Sequence, residues 1–282
     1  MIIEVFNFGG GRQSLGILVL LAQEAIARPD RIVIVDTGRE NTSTWDFLDE
    51  VARPYAERHG MVIERAPRNL SYVDLHGHNG DLLIPVYTRS GKLKTFCSWE
   101  WKIAVTDRYM KISNAGVNGI DQLSQAQIRA LMRSTPTVDL VTWMGFSLDE
   151  RHRVKDTAKR RFPLIELNMT TQDVLRVITE ENLPIPPQSS CYMCPNKRNV
   201  EWRYIRDHYP DDWRAACALD TELRADDEAA YDLADDTTRA AKWPKGPGVW
   251  LHRDRVPLAQ ADLAADETAT IERQCGLGVC FV

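Results

Sequence analysis

The chain has no long apolar run: the longest, residues 15–22, is eight residues, far short of the roughly 20 that a membrane span needs. It also lacks a low-complexity tract, an internal repeat and any strong charge bias. Thirty-five Lys and Arg stand against 40 Asp and Glu, for a net charge of −5. Broad electrostatic binding to nucleic acid is therefore not encoded, and basic character is confined to short stretches such as residues 155–161 (KDTAKRR). The N-terminus runs straight into a strand with no signal peptide ahead of it, so the expected location is the cytoplasm. Two common phosphate-binding signatures are missing as well. No Gly-Lys-Ser/Thr closes a Walker A loop, and Ser14 stands where the third glycine of G-x-G-x-x-G belongs.

What is present is an ordinary globular composition, 44% hydrophobic over 282 residues, enough for one large domain or one domain with a smaller appendage. Short β-rich runs alternate with amphipathic stretches. Residues 2–8, 31–38 and 61–66 predict strands, and residues 12–27 and 41–60 predict helices between them. A further strand is expected at residues 138–147, and a helix at about 170–181. Such alternation implies a parallel sheet with right-handed crossovers, an α/β fold. A Pro- and Ser-rich stretch, residues 182–190, marks a boundary near Pro187. It separates a domain over 1–187 from an extension over 188–282 with helices at 200–208 and 211–227. Residues 77–95 read as a long loop or hairpin.

The first strand-turn-helix reads VFNFGGGRQSLGILVLLA. Glycines at such a turn allow close approach to the backbone. Converging N–H groups at the helix start, with Arg12 and Ser14 as added donors, suit a phosphate. Asp36 closes an apolar strand, where ligands of α/β sheets collect. Arg151 and Arg153 flank His152 at the start of a short helical stretch, placed for phosphate or sulfate. Trp99, Trp101, Trp202 and Trp213 lie at helical spacings and are expected in the core, as is Cys217.

Six cysteines, at 97, 191, 194, 217, 275 and 280, in a chain without a secretory signal read as metal or redox chemistry rather than as disulfides. Cys191-Tyr-Met-Cys194, followed by Pro195, places two thiolates on one tight turn. That spacing alone is compatible with zinc, an iron–sulfur cluster or a redox pair.

The glycine turn together with IVIVDTGRENTSTWDFLDE resembles the PP-loop superfamily, in particular its phosphoadenosine phosphosulfate (PAPS) reductase-like branch. FCSWEWKIAVTDRY, WMGFSLDERHR and RFPLIELNMTTQDVLRVITEENLPIPP are similar to later segments of that family, in the same order, so the resemblance spans most of residues 1–210. It implies an adenine nucleotide alpha hydrolase-like α/β domain with a C-terminal helical, Cys-containing extension. It implies a nucleotide (PAPS, its 3′-dephospho form APS, or ATP) on Gly9, Gly10, Gly11, Arg12, Gln13, Ser14, Asp36, Thr37, Gly38, Gly145, Glu150, Arg151 and Arg153. Gln13 departs from the acid that precedes the final Ser in ATP-cleaving relatives, which shifts weight from triphosphate cleavage toward a sulfonucleotide.

The resemblance also implies a [4Fe–4S] cluster on Cys97, Cys191 and Cys194, its fourth position open or filled by a tail cysteine, Cys280 or Cys275. Cys97 is followed by Ser98 where the family has a second cysteine. Gln274-Cys-Gly-Leu-Gly278 is similar to the C-terminal motif whose Cys attacks the sulfonucleotide sulfur, which makes Cys275 the expected nucleophile. Three functions follow as expectations. The first is reduction of an adenine sulfonucleotide with a thiol electron donor. The second is ATP-dependent sulfur insertion into DNA or tRNA, with a sulfur-donor protein and a partner that supplies the basic surface. The third is a non-catalytic nucleotide-binding module with structural zinc. No membrane partner is expected, and a homo-oligomer is compatible with all three.

Overall fold

A computed structural model describes residues 2–94, 97–154 and 158–264. Cys275 and Cys280, expected as nucleophile and ligand, lie outside the described residues, as do the first three residues, 155–157, of the basic stretch at 155–161. In chain order the elements are β1 (Ile2–Asn7), α1 (Arg12–Ala22), β2 (Arg31–Val35), α2 (Thr42–Phe47), α3 (Arg53–Arg58), β3 (Ile63–Ala66), β4 (Tyr87–Thr88), β5 (Gly91–Lys92) and α4 (Ala104–Asn114). They continue as α5 (Gln125–Ser134), β6 (Asp139–Trp143), β7 (Arg160–Arg161), α6 (Pro163–Glu166), α7 (Thr171–Glu180), α8 (Asn199–His208), α9 (Pro210–Leu233), α10 (Asp236–Lys242) and β8 (Val249–Trp250). None of the described helices is long and apolar enough to cross a membrane.

Two compact units emerge. The first comprises residues 2–74 and 97–189, the second 75–94 and 190–264. The hairpin segment after residue 74 therefore joins the C-terminal unit rather than the domain expected over 1–187.

The first unit is an α/β fold around a five-stranded sheet in the order β3-β2-β1-β6-β7, every pairing parallel. Alternate residues of the central strands feed opposite faces, as a strand covered on both sides requires. Ile32 and Ile34 pack with α1, α2, α3 and α7 through Leu18, Phe47, Tyr55 and Val174. Val33 and Val35 pack with α4 and α5 through Val105, Met110 and Ile128. α7 begins with a reciprocal cap: Thr170 N donates to the Asp173 carboxylate at 2.9 Å, and Asp173 N donates to Thr170 Oγ1 at 3.3 Å. Gly16 lets α1 and α7 close together, because a Cβ there would lie 2.6 Å from Val174 Cγ1.

Two helix boundaries differ from expectation. α1 stops at Ala22 rather than Ala27, in a Schellman turn: Ala25 N bonds Leu20 O at 2.9 Å and Glu24 N bonds Leu21 O at 3.3 Å. Glu24 takes the left-handed conformation (φ 57°) that glycine usually fills, so no glycine marks the stop. The expected helix over 41–60 is interrupted by a π turn at Leu48–Ala52, where Arg53 N bonds Leu48 O. Pro54 follows at once; it has no N–H and its ring crowds the preceding turn, and widening the helix accommodates it.

In the second unit β4 pairs antiparallel with β5 and with β8. Asp220 of α9 is buried and satisfied, accepting from Leu251 N at 2.9 Å and Leu258 N at 3.0 Å and pairing with Arg224. Trp202 is fully buried and Trp101 nearly so, as expected, but Trp99 is 47% exposed and is not a core residue. Cys217 is half-buried, and burial, with Asp220 nearby, pushes its thiol up to about 11, so it is unreactive near neutrality.

Candidate functional site

From β1 the chain proceeds outward to β2 and β3, and from β6 it proceeds the other way to β7, yet β1 and β6 are parallel neighbours. Their connections diverge at the carboxyl ends of the strands, and that divergence opens a crevice where α/β sheets bind ligands. The two segments at this point are the ones singled out in the sequence: the glycine turn after β1, and Gly145 to Arg153 after β6. They are in direct contact. A Cβ on Gly145 would sit 3.3 Å from Gln13 Cβ, a tight contact, and 3.5 Å from Ser14 N, so the backbone of one segment lies against the other.

The turn is built by its glycines and braced by two hydroxyls. Gly10 has φ +73°, and a Cβ there would lie 2.7 Å from Thr44 Cγ2. Gly9 N donates to Ser14 Oγ at 2.9 Å, and the Ser189 hydroxyl donates to the Gly9 carbonyl. The first helical bond of α1 runs from Leu15 N to Gly11 O at 2.9 Å. The N–H groups of Arg12, Gln13 and Ser14 therefore lead the helix without intrahelical acceptors, at its electropositive end.

Glu150 is tied to this turn rather than turned to solvent. Its Oε2 accepts from Gln13 Nε2 at 3.2 Å and from Ser147 Oγ at 3.1 Å, and its Oε1 pairs with Arg153. Both carboxylate oxygens of this buried acid are thus occupied. Asp149 anchors the same turn to α7, accepting from Thr171 N at 3.0 Å and Thr171 Oγ1 at 2.7 Å. Burial pushes its carboxyl up, but the Thr171 and Ser147 bonds outweigh that and hold it below the usual range. Arg151 and His152 are exposed alongside.

Asp36 stands at the end of β2 as expected. It accepts from Gly38 N at 2.7 Å and pairs with Arg65 at 2.6 Å, whose guanidinium lies 4.2 Å from the Trp45 ring centroid. Gly38 has φ +68°, and a Cβ there would collide with Arg68 Cδ at 2.4 Å. Thr37 is buried, and its Oγ1 accepts from Arg39 N at 3.2 Å.

Sequence reading missed a buried ion pair beside the turn. Lys102 Nζ lies 2.9 Å from Glu40 Oε1, with the Glu40 side chain only 3% exposed. Glu40 Oε2 and Thr44 Oγ1 are buried with no hydrogen-bond partner among the described residues. Both line a small cavity with Asn7, Gly9 and Lys102, of about 20 Å³, room for on the order of one water. A nucleotide does not fit inside it, so phosphates bound by the turn would lie on its open side. The signal in the sequence was weak: Glu40 and Lys102 are 62 positions apart, and only the fold joins them.

In the second unit Cys194 N bonds Cys191 O at 3.0 Å and Lys197 N bonds Cys194 O at 3.2 Å, so both cysteines sit on consecutive tight turns, half-buried. Two soft thiols on one turn fit one edge of a thiolate-held metal centre. Among the described residues no group of three or more His, Cys, Asp or Glu is arranged to hold a metal ion. Further ligands would have to come from elsewhere. Cys97, half-buried at the head of the helical stretch before α4, belongs to the first unit.

Neither a protein-family model nor a curated protein sequence matches the chain. Among solved structures it is similar to the U34-tRNA thiolase NcsA from Methanococcus maripaludis, determined with its [4Fe-4S] cluster. The TM-score is 0.37 and the identity 14%, over 77% of this chain and 71% of that one.

Proposed function

We propose that the chain is a PP-loop-type enzyme of sulfur chemistry that binds an adenine sulfonucleotide at the β1/β6 switch point. The observation that carries the reading is the junction of the glycine turn with the Gly145–Glu150 segment at the carboxyl ends of the sheet. The leading N–H groups of α1 and Arg12 would take the anionic end of the nucleotide, with Asp36 to Gly38 at the adenosine side. Gln13 is neutral and both oxygens of Glu150 are occupied, so that side of the turn presents no open carboxylate for a metal–triphosphate. This favours an anion held directly by backbone and guanidinium donors.

In this reading the Cys275 thiolate attacks the sulfonyl sulfur, the sulfur–oxygen bond to phosphate breaks, and the nucleotide phosphate leaves. One thiol of a dithiol donor then attacks the Cys275 sulfur and displaces sulfite, and its second thiol resolves the mixed disulfide, freeing Cys275 and leaving the donor as a disulfide. Cys191 and Cys194 would hold two positions of a [4Fe–4S] cluster, or of zinc, with Cys97 and Cys280 as candidate further ligands. When bound, a cluster with an open iron supplies a place to hold sulfide.

One observation favours the second reading, ATP-dependent sulfur insertion into nucleic acid. Glu40 Oε2, buried beside Gly9 with no hydrogen-bond partner among the described residues, is a carboxylate oxygen of the kind that binds a metal ion on a triphosphate. Turnover assays separate the two. Sulfite release from PAPS or APS, lost in Cys275→Ser, supports reduction. Pyrophosphate release from ATP, with no turnover of either sulfonucleotide, selects insertion and removes the leading reading.

A further inference from the structure

Lys197 is a buried cation without a buried anion. It is 6% exposed, and its ammonium donates to the hydroxyl of Ser190 and lies 5.7 Å from the Trp202 ring centroid. Those are its side-chain partners among the described residues, and no carboxylate is one of them. Among the described residues the other buried cation, Arg39, faces Asp74, and the half-buried Lys102 and Arg153 face Glu40 and Glu150. An ammonium removed from water is costly unless an opposite charge accompanies it. A hydroxyl and one indole face answer part of that cost only.

The position of Lys197 says which anion is missing. Its side chain reaches back to Ser190, and its backbone N bonds the Cys194 carbonyl. The residues enclosed between Ser190 and Lys197 include both thiols of the Cys191–Cys194 turn. We infer that Lys197 is a charge-compensating residue for an anionic thiolate-bound metal centre at Cys191 and Cys194. The inference rests on the metal reading given under the proposed function. It adds that the polypeptide carries a dedicated positive charge for that centre. A [4Fe–4S] cluster with thiolate ligands is net negative and gains one further negative charge on reduction, so a fixed cation nearby favours the reduced state.

The test is anaerobic reconstitution of the full chain with iron and sulfide, followed by redox titration of the wild type, Lys197→Met and Lys197→Arg. Lys197→Met is expected to lower the reduced-to-oxidised ratio at a fixed potential by about tenfold, equivalent to about 59 mV for a one-electron couple. Lys197→Arg is expected to stay within about twofold of the wild type, since it keeps the charge. The metal-free melting temperature gives a second readout. Without the centre the ammonium is uncompensated, so Lys197→Met is expected to melt no lower than the wild type. A lower metal-free melting temperature with an unchanged potential makes Lys197 a strap closing the turn and overturns the inference, while the metal reading stands. A wild-type chain that takes up no iron and sulfide overturns both together. A Lys197→Met chain that fails to fold without metal also counts against the inference.

Discussion

Replacing Gly10 by alanine tests whether the turn after β1 is shaped by steric necessity. Two penalties are expected. The left-handed conformation at φ +73° costs a residue with a Cβ about 1–2 kcal/mol. The new Cβ would also lie 2.7 Å from Thr44 Cγ2, and Thr44 is 1% exposed. Overpacking of that kind costs about 1–3 kcal/mol, so the total is about 2–5 kcal/mol. Thr44→Ser removes the offending methyl while keeping the hydroxyl. In the double variant the packing part should return and the conformational part should not, leaving about 1–2 kcal/mol. Amide hydrogen exchange in β1 and α1 reads the opening free energy of this unit. A Gly10→Ala cost within about 0.5 kcal/mol of zero, the range of an ordinary surface change, would refute the reasoning. So would a double variant no better than the single.

Other outcomes follow from the same geometry. Lys102→Met should strand the Glu40 carboxylate in the interior and destabilise the first unit by about 3 kcal/mol, with Glu40→Gln added on top recovering most of it; hydrogen exchange measures both. The Glu64 carboxyl is pushed up by burial but drawn further down by Arg31 and Tyr109, to below its ordinary value of 4.5. Its contribution is therefore complete above about pH 4.5 and disappears as the pH falls through the lower folded value. Glu64→Gln should flatten the acid limb of the stability curve in that window and leave its slope at pH 6–8 as it was. Gln13→Ala removes one of the donors to buried Glu150, leaving Ser147 and Arg153 on it; it should cost about 1 kcal/mol, and weaken nucleotide binding through the loosened turn, as titration calorimetry would register.

The fold was legible where apolar patterning and strand ends carry the signal. Ile32 to Val35 alternate between two cores, and that run marks a strand covered on both faces. Asp36 and Gly10 were legible because their positions, a strand end and a turn needing positive φ, are local properties. The helix stop at Glu24 was not, since a glutamate there takes a conformation that sequence reading assigns to glycine. Nor were Gln13–Glu150 and Glu40–Lys102, separated by 137 and 62 positions, whose meeting depends on sheet order. Trp99 misled for a related reason. Two positions apart on one helical turn, it and Trp101 point to opposite sides, so only one of them can face the core, and that one is Trp101, held by its Nε1 bond to Asp74 O at 2.9 Å.

The most direct measurement is a crystal structure of the full chain soaked separately with adenosine 3′,5′-bisphosphate and with ATP. Phosphate oxygens within hydrogen-bond reach of the Gly11 to Ser14 amides, with the adenosine toward Asp36, are the expected result. Nucleotide bound away from the β1/β6 crevice, or none bound at saturating concentration, would contradict it.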